Sequence, residues 1–289
     1  MVIIDNWMPP TRENWDLITK LWQLFPLFTL LQWLVDYYPQ GKTSVGSRFN
    51  IPGRIAWATM EAPGFINLLY IMFTLPKQNG IESLPLGNWI MAGLFTFHYL
   101  YRALLAPLYL NPSMSPIHII VWLAALSFQL INSTCIGGWL AGYGPVSNKE
   151  WEGRVLWLEV GLMLFAAGLV GNIFHDDELR EIRRAAARNQ MKNEEAQGEK
   201  GKGKRVDKVY MMPENGLFNL VLYPHYLCEW VEWCGFWMIG GLGCIPARSF
   251  VINEIAAMLP RALQGKRWYI KRFGREKVGS RKAVIPGII

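Results

Sequence analysis

Glu61 and Tyr99 each stand inside a long apolar run, Ile55 to Leu75 and Leu86 to Leu110 respectively. Ionisable groups in such runs are costly and face a cavity or one another. Together they have a specific chemical use. A phenol can donate to a ketone oxygen while a desolvated carboxyl behind it holds the hydroxyl in place, and an enone polarised in this way accepts hydride at its β-carbon. No metal or nucleophile is required. His98, one residue before the phenol, points about 100° away on a helix and reads as a packing histidine.

A second group lies on the stretch Trp151 to Arg188, which leaves an apolar run and ends in basic residues without a proline. Asn172, His175, Asp176 and Arg183 share much of one helix face by their spacing. Asn172 and Asp176, an i, i+4 pair, can hold a carboxamide and ribose hydroxyls. Arg183, Arg261, Arg267 and Lys271 fall on the same side of the membrane and offer the cationic donors that a pyrophosphate and a 2′-phosphate need. The competing reading makes the arginines headgroup anchors, and it fits Arg184 and Arg188 better than Arg183. Singly, Glu61 with Arg102 could be a structural pair and Asp176 with Arg180 a surface pair. As a set, Glu61, Tyr99, Arg102, Asn172, Asp176, His225, Glu229 and Glu232 predict one polar cavity open to the cytosol.

The elements that must position these residues are membrane spans. Of 289 residues, 52% are hydrophobic, 13% aromatic and 18% charged, against about a quarter charged in soluble domains. Seven apolar segments follow: Leu17–Tyr38, Ile55–Leu75, Leu86–Leu110, Ile117–Tyr143, the stretch just described, Leu217–Leu242, and Phe250–Leu263, which is short for a crossing. The expected architecture is an all-α membrane protein of seven transmembrane helices, one polytopic domain over 1–289, with no soluble Rossmann domain. A mobile basic linker is expected at about 189–208. The positive-inside rule puts that linker, the Gln40–Arg54 loop and the Lys266–Lys282 tail in the cytosol, with the N-terminus on the other side. Met1–Asp16 lacks the features of a signal peptide, so the first span is expected to direct insertion.

Other classes find little support. The net charge of +7 comes from basic loops and a basic tail beside the spans, and no nucleic-acid motif accompanies it. Cys135, Cys228, Cys234 and Cys244 form no Cys-x-x-Cys pair and read as free thiols rather than a metal site. The Asn132-Ser133-Thr134 sequon lies within an apolar run, out of reach of glycosylation. No obligate protein partner is evident.

Several blocks resemble the steroid 5α-reductase family in order and over nearly the whole chain from about Pro39. They are Gly53–Glu61, His98–Arg102, Gly171–Asp176 with Leu179 and Arg183, Met212–Phe218, Tyr223–Trp233, Trp268–Phe273 and Ser280–Pro286. The resemblance implies a seven-span endoplasmic-reticulum enzyme that uses NADPH to reduce a carbon-carbon double bond conjugated to a carbonyl. It implies that Glu61 and Tyr99 hold the substrate ketone. Asn172, Asp176 and Arg183 match cofactor-binding positions, as do Trp57, Tyr210, Glu229, Arg261 and Tyr269, and His225 takes a place in that set. The pattern is not complete. His225 stands where steroid reductases usually carry Asn, Met60 where the mammalian enzymes have Gln, Gln40 in place of a Tyr and Gly265 in place of a His. The turn Asn111–Pro116 lacks the family's positive charge.

The expected activity is NADPH-dependent reduction of a lipophilic enone, a 3-oxo-Δ4 steroid or related terpenoid. A polyprenal or a trans-2-enoyl thioester is the alternative substrate, and a non-catalytic sterol-binding protein the alternative class.

Overall fold

The computed structural model describes residues 2–35, 41, 46–196 and 211–289. Helices dominate, in the order α1 (Arg12–Trp22), α2 (Phe25–Leu34), α3 (Gly53–Gln78), α4 (Leu86–Tyr99), α5 (Ile119–Gly138), α6 (Asn148–Trp151), α7 (Val155–Ala196), α8 (Pro224–Gly240), α9 (Ile245–Phe273) and α10 (Arg275–Val278). Two of them run on as π-helix, α4 through Leu100–Leu110 and α5 through Trp139–Tyr143. Two short strands, β1 (Asn50–Ile51) and β2 (Ile117–His118), pair antiparallel.

Three helices among the described residues are long and apolar enough to cross a bilayer, Gly53–Gln78, Ile119–Tyr143 and Val155–Ala185. Their outward faces carry large apolar side chains, such as Ile66, Phe73, Leu123, Met163 and Val170, as lipid contact requires. The other expected spans depart from that measure for visible reasons. α8 has only 17 residues, and α9 carries Arg248, Glu254 and Arg261 along its length. The expected first span is broken. α1 ends at Trp22 and α2 restarts at Phe25 with Pro26 in its first turn, a position where the missing N–H costs nothing. The seventh segment is not short, because α9 runs for 29 residues with Pro260 inside it. Where the basic linker was expected, α7 continues as helix to Ala196, and the rest of that segment lies outside the described residues.

α3 and α5 run side by side in the same direction. Gly64 abuts Gln129, the Asn67 amide donates to Ser133 and Thr134, and Ile71 meets Gly137. α1 seals the far end, where the Trp15 indole donates to the Cys135 carbonyl at 2.9 Å. α7 and α8 make the most extensive contact of the fold, and glycines allow it. A Cβ on Gly161 would meet Ile239 at 2.6 Å, and one on Gly235 would meet the Phe165 nitrogen at 2.5 Å. On Gly168 it would strike the Glu232 backbone. Small residues at such positions let helix backbones approach in a membrane. The C-terminal segment then pins the approach to α8, with Leu222 and Tyr223 donating to the carbonyls of Lys282 and Ala283 at 2.9 Å.

Candidate active site

The close α7–α8 contact brings Asn172 onto the first turns of α8. Its Nδ2 donates to the His225 carbonyl at 2.9 Å and to Glu229 Oε2 at 3.3 Å. Glu229 also takes the Arg102 guanidinium at 3.2 Å, and Arg102 Nε reaches Glu61 at 3.4 Å. The Arg102 guanidinium sits over the Trp57 ring, 5.5 Å from its centroid, a cation–π contact. Five residues from four helices, Trp57, Glu61, Arg102, Asn172 and Glu229, thus form one continuous polar chain through the bundle. Glu61 and Glu229 are both buried, and a buried carboxylate persists only with such partners.

Tyr99 closes α4, one turn before Arg102, and is buried against Phe95 and Trp233 at centroid distances of 4.7 and 6.1 Å. Gln129 lies beside its hydroxyl, with the carboxyls of Glu254 and Glu61 at longer range. The phenol and the carboxyl that the sequence pairs thus stand near one another, with Gln129, which the sequence places only in a span, next to the phenol.

The remaining expected residues surround the N-terminal end of α8 and the C-terminal half of α9. Tyr269 is buried with Tyr223, Tyr226 and Trp230 in a second core, and the Tyr223 and Tyr269 rings stand 6.3 Å apart. His225 stacks edge-on to Tyr226 at 4.7 Å. Arg261 and Asp176 both act on Tyr226, which ties α9 to α7 across this core. Asp176 pairs with Arg180 at 3.7 Å. Arg183 lies exposed on α7, away from the polar chain, and Tyr210 lies outside the described residues, as does Gln40. The amide of Asn172, the carboxylate of Asp176 and the cations Arg261, Arg267 and Lys271 are the donors and acceptors available here to a nicotinamide dinucleotide.

Three groups take places that their sequence reading did not give them. Arg102 was weighed as a structural partner of Glu61, and it also bridges to Glu229; its i, i+3 spacing from Tyr99 was the available signal. Arg180 is buried, donating to Asn111 Oδ1 at 2.9 Å and to the Tyr101 hydroxyl at 2.8 Å, so its pair with Asp176 is not a surface one. His175, which by spacing only shares a helix face with Asn172 and Asp176, is an interior latch. Its Nδ1 lies 2.6 Å from the Gly171 carbonyl and its Nε2 accepts from the Leu217 amide at 3.1 Å. His98 packs on Trp233 as expected, and its Nδ1 also meets the buried Glu232 at 2.6 Å. The absent family His at Gly265 has a local cause, since a Cβ there would run into the Tyr223 hydroxyl.

Comparison with known proteins shows the family. The family model described as 3-oxo-5-alpha-steroid 4-dehydrogenase matches residues 115–289. An uncharacterized protein of Schizosaccharomyces pombe is 32% identical over 86% of this chain and 90% of its own length. A steroid 5-alpha-reductase of Solanum lycopersicum is 30% identical over 91% of both chains, and 3-oxo-5-alpha-steroid 4-dehydrogenase 1 of Rattus norvegicus is 28% identical over 86% of this chain and 89% of its own. A buried phenol and carboxyl between apolar helices, joined by an Arg to an amide and a second carboxylate, accords with these matches: the chain belongs to the 3-oxo-5-alpha-steroid 4-dehydrogenase family, oxidoreductases that act on CH–CH donors.

Proposed function

We propose that this protein reduces the carbon-carbon double bond of a lipophilic enone, a 3-oxo-Δ4 steroid or related terpenoid, with NADPH as reductant. The observation that carries the reading is the Tyr99 hydroxyl, buried among aromatic rings beside Gln129 and within electrostatic reach of the Glu61 carboxyl. Tyr99 donates to the ketone oxygen and so draws electron density from the β-carbon. Glu61, held by Arg102 at 3.4 Å, orients that end of the site. NADPH, when bound, supplies hydride. Asn172, Asp176, Arg183 and Arg261 with Trp57, Tyr210, His225, Glu229 and Tyr269 hold the cofactor, and the buried aromatic rings around Tyr99 exclude water from the reacting carbons.

The same reading takes the helices as seven crossings of the endoplasmic-reticulum membrane, with the cofactor side and C-terminus cytosolic. The basic residues near the end of α7 and along the C-terminal segment support that orientation. The test is reduction of a panel of steroid, polyprenal and enoyl thioester substrates by purified protein with NADPH, with products identified by mass spectrometry. Tyr99→Phe and Glu61→Gln should each remove most turnover and keep the NADPH-dependent thermal shift. Near-normal rates in both would overturn the assignment.

A further inference from the structure

The geometry points to Glu254 as the acid that protonates the α-carbon of the reduced enone, an inference that rests on the reading above. Neither the polar chain nor the cofactor set uses this residue. It lies on α9 one turn after Phe250 and one turn before Met258, both buried on the same face. Phe250 packs on Trp233 at 4.6 Å, and Trp233 faces Tyr99 at 6.1 Å, so the face that carries Glu254 turns toward the phenol. Its neighbour Asn253 is fixed on another side of the helix, donating to the Trp22 carbonyl at 3.0 Å. Glu254 itself is only half-buried. With buried residues above and below it, that accessible surface opens into the bundle.

Charge and contacts separate it from the other two carboxyls. Glu61 and Glu229 share the Arg102 guanidinium, whereas Glu254 makes no hydrogen bond or ion pair among the described residues. It nevertheless acts on the Tyr99 hydroxyl more strongly than Glu61 does. Arg102 and Arg261 act on it only from beyond ion-pair distance, and a carboxyl without a direct partner in an apolar bundle is stable there as the neutral acid. A neutral carboxyl beside the ketone-binding phenol is a proton donor next to the carbon that needs one.

The step balances. Hydride from a reduced nicotinamide adds to the β-carbon, the β-carbon–α-carbon π electrons move toward the carbonyl, and an enolate oxygen forms against Tyr99. The enolate then collapses, a C–H bond forms at the α-carbon, and the Glu254 O–H bond breaks to leave a carboxylate. Solvent returns the proton after product leaves.

The experiment compares Glu254→Gln, Glu254→Asp and Tyr99→Phe in the full-length protein, on the enone that the wild type reduces, with turnover measured in H2O and D2O. Glu254→Gln, which keeps shape and loses the acid, should slow turnover at least about tenfold, in the range general acids contribute. Glu254→Asp should recover a clear part of the rate, the solvent isotope effect in Glu254→Gln should exceed that of wild type, and the NADPH-dependent thermal shift should persist in both. A smaller loss in Glu254→Gln, an Asp variant no faster than the Gln variant, an unchanged isotope effect or loss of the thermal shift would each overturn the role. Retained rates in Tyr99→Phe would instead overturn the function on which it rests.

Discussion

Arg102 NH1 lies 3.2 Å from Glu229 Oε2 and joins the end of α4 to the first turns of α8, helices separated by more than a hundred residues of sequence. Through this contact the end of the site proposed for the ketone and the end proposed for the cofactor become one electrostatic unit. Removing the cation alone leaves two buried carboxylates without a counterion, and breaking a buried pair in this way costs about 3–5 kcal/mol. Arg102→Met should therefore lower thermal stability in detergent far more than Arg102→Met combined with Glu61→Gln and Glu229→Gln. A triple variant as unstable as the single one would contradict the network.

Gly168 sets how closely α7 approaches α8. A side chain there meets the Glu232 backbone, so Gly168→Val should push the helices apart and lengthen the Asn172 bond to the His225 carbonyl. The expected result is a lower melting temperature together with weaker NADPH binding by titration, whereas Gly93→Val, at an open position, should change neither.

Arg180 and Arg183 sit one turn apart and should separate stability from cofactor affinity. Arg180 is buried and holds Asn111 and Tyr101, and hydrogen bonds from charged groups are each worth about 1.5–3 kcal/mol. Arg180→Met should unfold at lower temperature. Arg183→Ala, at an exposed position, should keep the melting temperature and raise the Kd for NADPH relative to NADH, as loss of a 2′-phosphate contact would. Equal effects of the two substitutions on both readouts would refute this division.

Gly265→Ala places a methyl against the Tyr223 ring and hydroxyl. Overpacking of this kind costs about 1–3 kcal/mol. Adding Tyr223→Ala should return part of that stability, measured as a positive coupling in a double-mutant cycle of thermal unfolding. Independent, additive losses would show that the two residues do not share the space.

Much of this arrangement was readable from residue order. The apolar runs that hold α3, α5 and α7 are long enough to declare themselves, and Glu61, Tyr99, Asn172 and Glu229 stand out as polar groups within apolar surroundings. Local breaks were harder to see. The interruption between α1 and α2 falls at Gln23 and Leu24 in an otherwise apolar stretch, where Gln23 and Pro26 are brief marks that a long hydrophobic run hides. α9 was cut short because Arg248 before the apolar run and Lys266 and Arg267 after it read as its ends, while the helix continues through all three. Arg102 as a bridge, Arg180 as a buried anchor and His175 as a latch depend on which distant helix each meets. The spacing along one element carries no record of that.

The two-residue ladder of β1 and β2 has a consequence for depth. Because Asn50 pairs with His118 and Ile51 with Ile117, α3 and α5 leave a common starting line in the same direction, and each climbs about 1.5 Å per residue. Gly64, one turn beyond Glu61, and Gln129 arrive at one level because both are counted from that line. The ladder works as a surveyor's benchmark for the ketone end of the site. Inserting one residue between Ile51 and Glu61 would lift the carboxyl by about 1.5 Å and swing it by about 100°, while Gln129 stayed where it was.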